Sequence, residues 1–95
     1  MRANKVDGNQ AAIVRSLRQI PGVSVATLNK EKDGLPDILV GVHGKNYLFE
    51  IKDPAKRPSA RKLTPAEFNF HSTWKGQAKV VTTLQEILDL IILHR

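Results

Sequence analysis

The sequence predicts an α/β domain, a mixed central β-sheet flanked by helices in the order α-β-β-β-α-β-α. Three observations predict it. Three segments carry helix start signals, four short apolar runs bounded by turn residues read as strands, and two of those runs flank a Gly-containing break as a hairpin does.

The first helix lies within "DGNQAAIVRSLRQIPG". Asp7 stands as its N-cap with Gln10 three residues on in capping-box spacing, and Pro21-Gly22 end it. At about 100° per residue, Ile13, Val14, Leu17 and Ile20 share one face, Arg15 and Arg18 lie roughly opposite, and Gln10 falls on the apolar side. Val23–Asn29 follows as a strand, and Pro36–Val42 and Lys45–Lys52 form the hairpin. The loop "DPAKRPSARK" carries two prolines and four basic residues. The next helix has Thr64 as N-cap, Pro65 at its first position and Glu67 completing a capping box, and Gly76 ends it. "AKVVTT" reads as a short buried strand. In the last helix Thr83 and Glu86 again have capping-box spacing.

Length and charge bound the function. With 95 residues the chain has room for one small domain, residues 1–95, and no second core. Apolar residues make up 41%, an ordinary globular share, so disorder is not expected. Lys+Arg 15 against Asp+Glu 9 gives a formal charge of +6, which favours a polyanion partner, nucleic acid or an acidic membrane face. The absence of cysteine excludes disulfides and thiolate-bound zinc. "MRANKVDGNQ" has no apolar core of a secretory leader, and the longest apolar run falls well short of a membrane span, so an intracellular, cytoplasmic domain is expected.

The hairpin holds the chemistry. Asp37 interrupts its first apolar run, and Glu50 and Lys52 interrupt its second. With His43-Gly44 as a two-residue turn, six steps back from His43 reach Asp37 and six steps on from Gly44 reach Glu50, so the two carboxylates oppose each other. Lys52, two residues beyond Glu50, projects from the same face. Like charges directly opposite destabilise a strand pair, and apolar neighbours on both sides add a desolvation cost. A divalent cation between the carboxylates relieves both. Few protein ligands, all oxygen, with several retained waters, suit Mg²⁺. Asp37 as a solvated turn residue after Pro36, with Glu50 and Lys52 on an exposed edge, is the plainer alternative.

Pro36-Asp37 followed by Glu50-Ile51-Lys52 resembles the signature of the PD-(D/E)XK nuclease superfamily. The wider frame "GLPDILV…GKNYLFEIKDP…RKLTPAEFNFHSTWKGQAKVV" is similar to its VRR-NUC branch, including small stand-alone versions found in phages. The resemblance runs from the first helix to the penultimate strand and implies a restriction-endonuclease-like core. It implies that Asp37 and Glu50 bind a catalytic Mg²⁺, which Mn²⁺ can replace, with the Ile51 carbonyl as third ligand. It also implies that Lys52 positions or activates the attacking water and offsets phosphate charge. A partly desolvated lysine with a lowered pKa would serve as base; a fully charged one would act electrostatically.

Two positions depart from the family pattern. Glu67 stands where Gln is frequent, either as a further site contact or only as the capping-box partner of Thr64. The acidic residue of the family's first helix has only Asp7 or Gln10 as a counterpart, and Gln10, on the apolar face, is the catalytic candidate.

Lys56, Arg57, Arg61 and Lys62 follow the catalytic strand and read as phosphate contacts to DNA. Phe70, His71 and Trp74 share an arc of their helix with Glu67, and the aromatics are expected in the core; Trp74 stacked on an unpaired base is the alternative. His43, His71 and His94 have no assigned role. On the last helix Leu84, Ile87, Leu88 and Ile91 form one stripe, and Leu90 and Leu93 lie off it, which suggests a homodimer interface. Stand-alone relatives tend to be dimers, and two-fold symmetry suits paired incisions. These readings converge on a metal-dependent DNA endonuclease acting on branched DNA, a four-way junction or a flap, because nothing resembles a sequence-reading element. An archaeal-type Holliday junction resolvase, a duplex-nicking nuclease of the same superfamily, and a non-catalytic nucleic-acid-binding module are the alternatives.

Overall fold

The computed structural model describes residues 8–29 and 34–93. The elements are α1 (Gln10–Arg18), β1 (Val23–Thr27), β2 (Ile38–Val42), β3 (Lys45–Ile51), a 3₁₀ turn (Pro58–Arg61), α2 (Pro65–Thr73), β4 (Ala78–Val81) and α3 (Leu84–Leu93). The four strands form one mixed sheet in the order β1-β2-β3-β4. The first three are antiparallel neighbours; β4, reached through α2, runs parallel to β3.

Strand alternation divides the sheet into two unlike faces. Ile38, Val40, Val42, Tyr47, Phe49, Ile51 and Val81 are buried in one cluster with Ile13, Val14 and Leu17 of α1 and Ile87 and Ile91 of α3. Both terminal helices therefore cover that face, and burying each large side chain there contributes about 1.5–3 kcal/mol. The other face carries Leu39, Leu48, Glu50 and, past the strand ends, Asp37 and Lys52. Among the described helices α2 reaches this face through Glu67, its single buried residue.

Several expectations change. The N-cap of α1 is Asn9; Asp7 lies outside the described residues. The Asn9 amide donates to Thr82 O at 3.0 Å and Lys52 O at 3.4 Å, tying the start of α1 to the ends of β3 and β4. The capping boxes at Thr64/Glu67 and Thr83/Glu86 both form. β4 is an edge strand, not a buried one: of its residues only Val81 is buried. A central position would need a neighbour on its far side, and none of the described strands supplies it. The aromatic arc of α2 is not core either: Trp74 is 50% exposed, and half-buried Phe70 lies outside the core cluster. On α3, Leu90 packs against the core cluster, so the second apolar face is reduced among the described side chains to exposed Ile92. The Leu93 side chain and His94 lie outside the description.

Candidate metal centre

The hairpin turn sets the site. His43 and Gly44 both have positive φ, 54° and 76°, the type I′ geometry whose twist matches the flanking strands. The ladder it fixes runs from Val42↔Lys45 to Ile38↔Phe49. Asp37 lies one residue beyond. Its N–H donates to Phe49 O and its carbonyl accepts from Leu28 N, both at 2.9 Å. Its carboxylate Oδ2 accepts from Ile51 N at 2.6 Å. Asp37 thus hydrogen-bonds to the residues on either side of Glu50, just past the last ladder pair Ile38↔Phe49.

Lys52 completes the group. Its Nζ lies 3.4 Å from Glu50 Oε2 and donates to Glu67 Oε1 at 3.0 Å. The same Glu67 oxygen accepts from Thr64 N at 2.9 Å, and Glu67 N donates to Thr64 Oγ1 at 3.1 Å. Glu67 therefore fills both roles the sequence offered it, capping α2 and contacting the site. The capping box was legible from spacing; the contact to Lys52, fifteen residues away on another element, was not.

Gly34 allows α2 to come this close. Its φ is +77°, and a Cβ there would collide with the Ala66 carbonyl and Glu67 N. The glycine of the "GLPD" segment thus seats the first turn of α2 over the strand that begins after Asp37.

Asp37, Glu50, Lys52 and Glu67 are the buried charged residues of the described chain, all no more than 9% exposed. The Asp37 carboxylate is bonded to Ile51 N, and the Glu50 and Glu67 carboxylates meet the Lys52 ammonium, in a site shielded from water. Burial disfavours the Lys52 ammonium, but its hydrogen bond to Glu67 and the field of Glu50 and Glu67 outweigh it, and its pKa is raised above the ordinary lysine value. The lowered value that a lysine base would need is not found.

The Asp37 and Glu50 carboxylates, buried within hydrogen-bonding reach of the Ile51-Lys52 step, are oxygen donors that could hold a divalent cation. Among the described residues no three His, Cys, Asp or Glu side chains converge as a ligand set. Such a short donor set would suit a cation that keeps much of its hydration.

The remaining candidates lie around this centre. The loop bearing Lys56, Arg57, Arg61 and Lys62 spans from Lys52 to Thr64, so both of its ends are anchored at the site; Lys56, Arg57 and Lys62 are exposed and Arg61 is half-buried. Gln10 opens α1 and is half-buried, with its Oε1 buried and lacking a hydrogen-bond partner. It lines a cleft with Ala11, Val14, Arg15, Arg18 and Thr27. No described helix is long and apolar enough to cross a membrane.

No family model matches the chain, and no curated protein matches its sequence. Among solved structures, one described as "VRR_NUC domain" superposes with a TM-score of 0.63 at 22% identity, covering 90% of this chain and 92% of that one. The mixed four-stranded sheet flanked by three helices is a restriction-endonuclease-like fold, and the chain shares the fold of that VRR_NUC domain.

Proposed function

We propose that this chain is a metal-dependent DNA endonuclease that hydrolyses phosphodiester bonds, preferentially in branched DNA such as a four-way junction or flap. The observation that carries the reading is that three buried acids, Asp37, Glu50 and Glu67, all contact the Ile51-Lys52 step, a costly gathering of carboxylates that a divalent cation would ease. The VRR_NUC likeness supports the same class.

In this reading Asp37, Glu50 and the Ile51 carbonyl hold Mg²⁺, with Mn²⁺ as substitute. When bound, the cation supplies a water acidic enough to attack at neutral pH and a positive charge beside the phosphoryl oxygens. Lys52, kept charged by Glu50 and Glu67, neutralises charge on the phosphate and does not take the proton of the water. Lys56, Arg57, Arg61 and Lys62 contact the flanking phosphates and make affinity fall with salt. Gln10 is assigned to the catalytic group through the resemblance, with its unpartnered Oε1 as the supporting feature. A homodimer would deliver paired incisions across a junction, and its cytoplasmic setting follows from a DNA substrate; a monomeric mass at micromolar concentration removes the dimer.

End-labelled duplex, flap and four-way-junction substrates with Mg²⁺ or Mn²⁺ test the function. The intact protein is expected to cut the branched substrates faster than the duplex, and Asp37→Ala and Lys52→Ala to lose about a thousandfold, roughly 4 kcal/mol of transition-state stabilisation. Binding without cleavage in both metals contradicts the enzyme; equal rates on linear duplex contradict the preference for branches.

A further inference from the structure

The sheet face that carries the carboxylates also carries an apolar cleft. Leu39 lies two residues from Asp37, and Leu48 two residues from Glu50, so both project from that same face, roughly 7 Å along the strands. Leu39 and Leu48 are cross-strand partners. With Leu28, Leu35 and Trp74 they line an open cleft of about 430 Å³. All four leucines are half-buried. The Trp74 indole is stacked on Phe70 at 4.9 Å between ring centres, yet is 50% exposed. The carboxamide residues Asn46 and Gln77 also border the cleft. Exposed Lys62 and Lys75 stand at the two ends of α2.

This combination fits one kind of occupant. A flat apolar body is needed against leucines and an indole, polar edges against carboxamides, and an attached anionic chain beside lysines. A nucleobase on a DNA strand has all three. The spacing matters as well, because the cleft begins where the carboxylate pair ends.

We propose that this cleft receives one unpaired nucleobase, next to the phosphate being cut, stacked on Trp74. The inference rests on the nuclease reading and deepens it. A paired base must leave its stack before it can enter, whereas a base in a flap or at a junction is already free to do so. The cleft would thereby make the enzyme selective for DNA that offers an unpaired base beside the cut.

Trp74 is the chain's single tryptophan and reports directly. The intact protein, with Ca²⁺ in place of Mg²⁺ and strand integrity checked on a gel, is titrated with a single-stranded oligonucleotide, a fully paired hairpin, and an abasic strand of equal length. Fluorescence anisotropy of labelled DNA measures binding, and indole emission measures stacking. Saturable quenching is expected with the single strand and little with the hairpin or the abasic strand. Trp74→Ala is expected to weaken single-strand binding roughly tenfold, as loss of a base–aromatic stack does, and to change hairpin binding less than twofold; circular dichroism confirms its fold. Equal quenching by the abasic strand, or binding without quenching, overturns the inference and leaves the nuclease reading standing. An indole emission shift that follows protein concentration without DNA means that a second copy of the chain fills the cleft, and also overturns it. No binding to any of the three overturns both readings.

Discussion

Asp37→Asn is expected to make the metal-free protein more stable while removing its activity. In EDTA the wild type keeps the Asp37 and Glu50 carboxylates buried, and in the proposed site they stand opposite each other. At about 5 Å and an effective dielectric near 20, their repulsion is roughly 3 kcal/mol. An asparagine oxygen can still accept from Ile51 N, although a neutral acceptor forfeits about 1 kcal/mol relative to a charged one. The balance favours the variant by about 1–2 kcal/mol, or about 5–10 °C in Tm for a domain of this size. Adding Mg²⁺ reverses the order. The wild type gains about 2.7 kcal/mol when the ion stands at a hundred times its Kd, and the variant gains little. Thermal melts of both proteins in EDTA and in Mg²⁺ measure this, and a variant less stable than wild type in EDTA would contradict the charge argument. Sites built for chemistry often carry such a stability cost.

Glu67 has the second large effect, because one oxygen serves two partners. Glu67→Ala leaves Thr64 N without its cap and Lys52 with one carboxylate fewer. Loss of a cap costs about 1 kcal/mol. Removing one partner of a buried ion pair costs about 3–5 kcal/mol, partly offset here because Lys52 keeps Glu50 as a partner. A net loss of about 2–3 kcal/mol is expected in urea unfolding. The rate should fall by about a hundredfold, the usual effect of a charged group set loose by an ångström or so. Glu67→Gln keeps an oxygen for both donors and is expected to stay within tenfold of wild type. Thr64→Ala removes the cap alone, so it should lower stability by about 1 kcal/mol with little change in rate. If Thr64→Ala slowed cleavage as much as Glu67→Ala, the Lys52 contact would not be what matters.

How far the sequence revealed these features depended on distance along the chain. The hairpin register was legible because a two-residue turn leaves one way to pair the strands, and His43 and Gly44 adopt the positive φ values that such a turn needs. The capping boxes were legible for the same reason, since their partners are three residues apart. The placement of α2 was not. The arc of Phe70, His71 and Trp74 beside Glu67 suggests a buried aromatic face, but that arc buries the glutamate and leaves Trp74 half exposed. Periodicity records which residues share a face, not what that face meets. Gly34 carried the missing signal, because its positive φ and lack of Cβ are what admit α2 over the site; in the sequence it reads only as a loop glycine. The first helix shows the opposite error. Gln10 was placed by analogy, whereas the residue that ties α1 to the end of β3 is its neighbour Asn9, through main-chain carbonyls that no motif reveals.

Anomalous diffraction from crystals soaked in manganese tests the central claim, that the opposed carboxylates hold a divalent cation. A peak bonded to the Asp37 and Glu50 carboxylates and the Ile51 carbonyl, with the Lys52 ammonium beside it, is the predicted result. Carboxylates that diverge with no peak between them, in crystals grown at neutral pH, would contradict it.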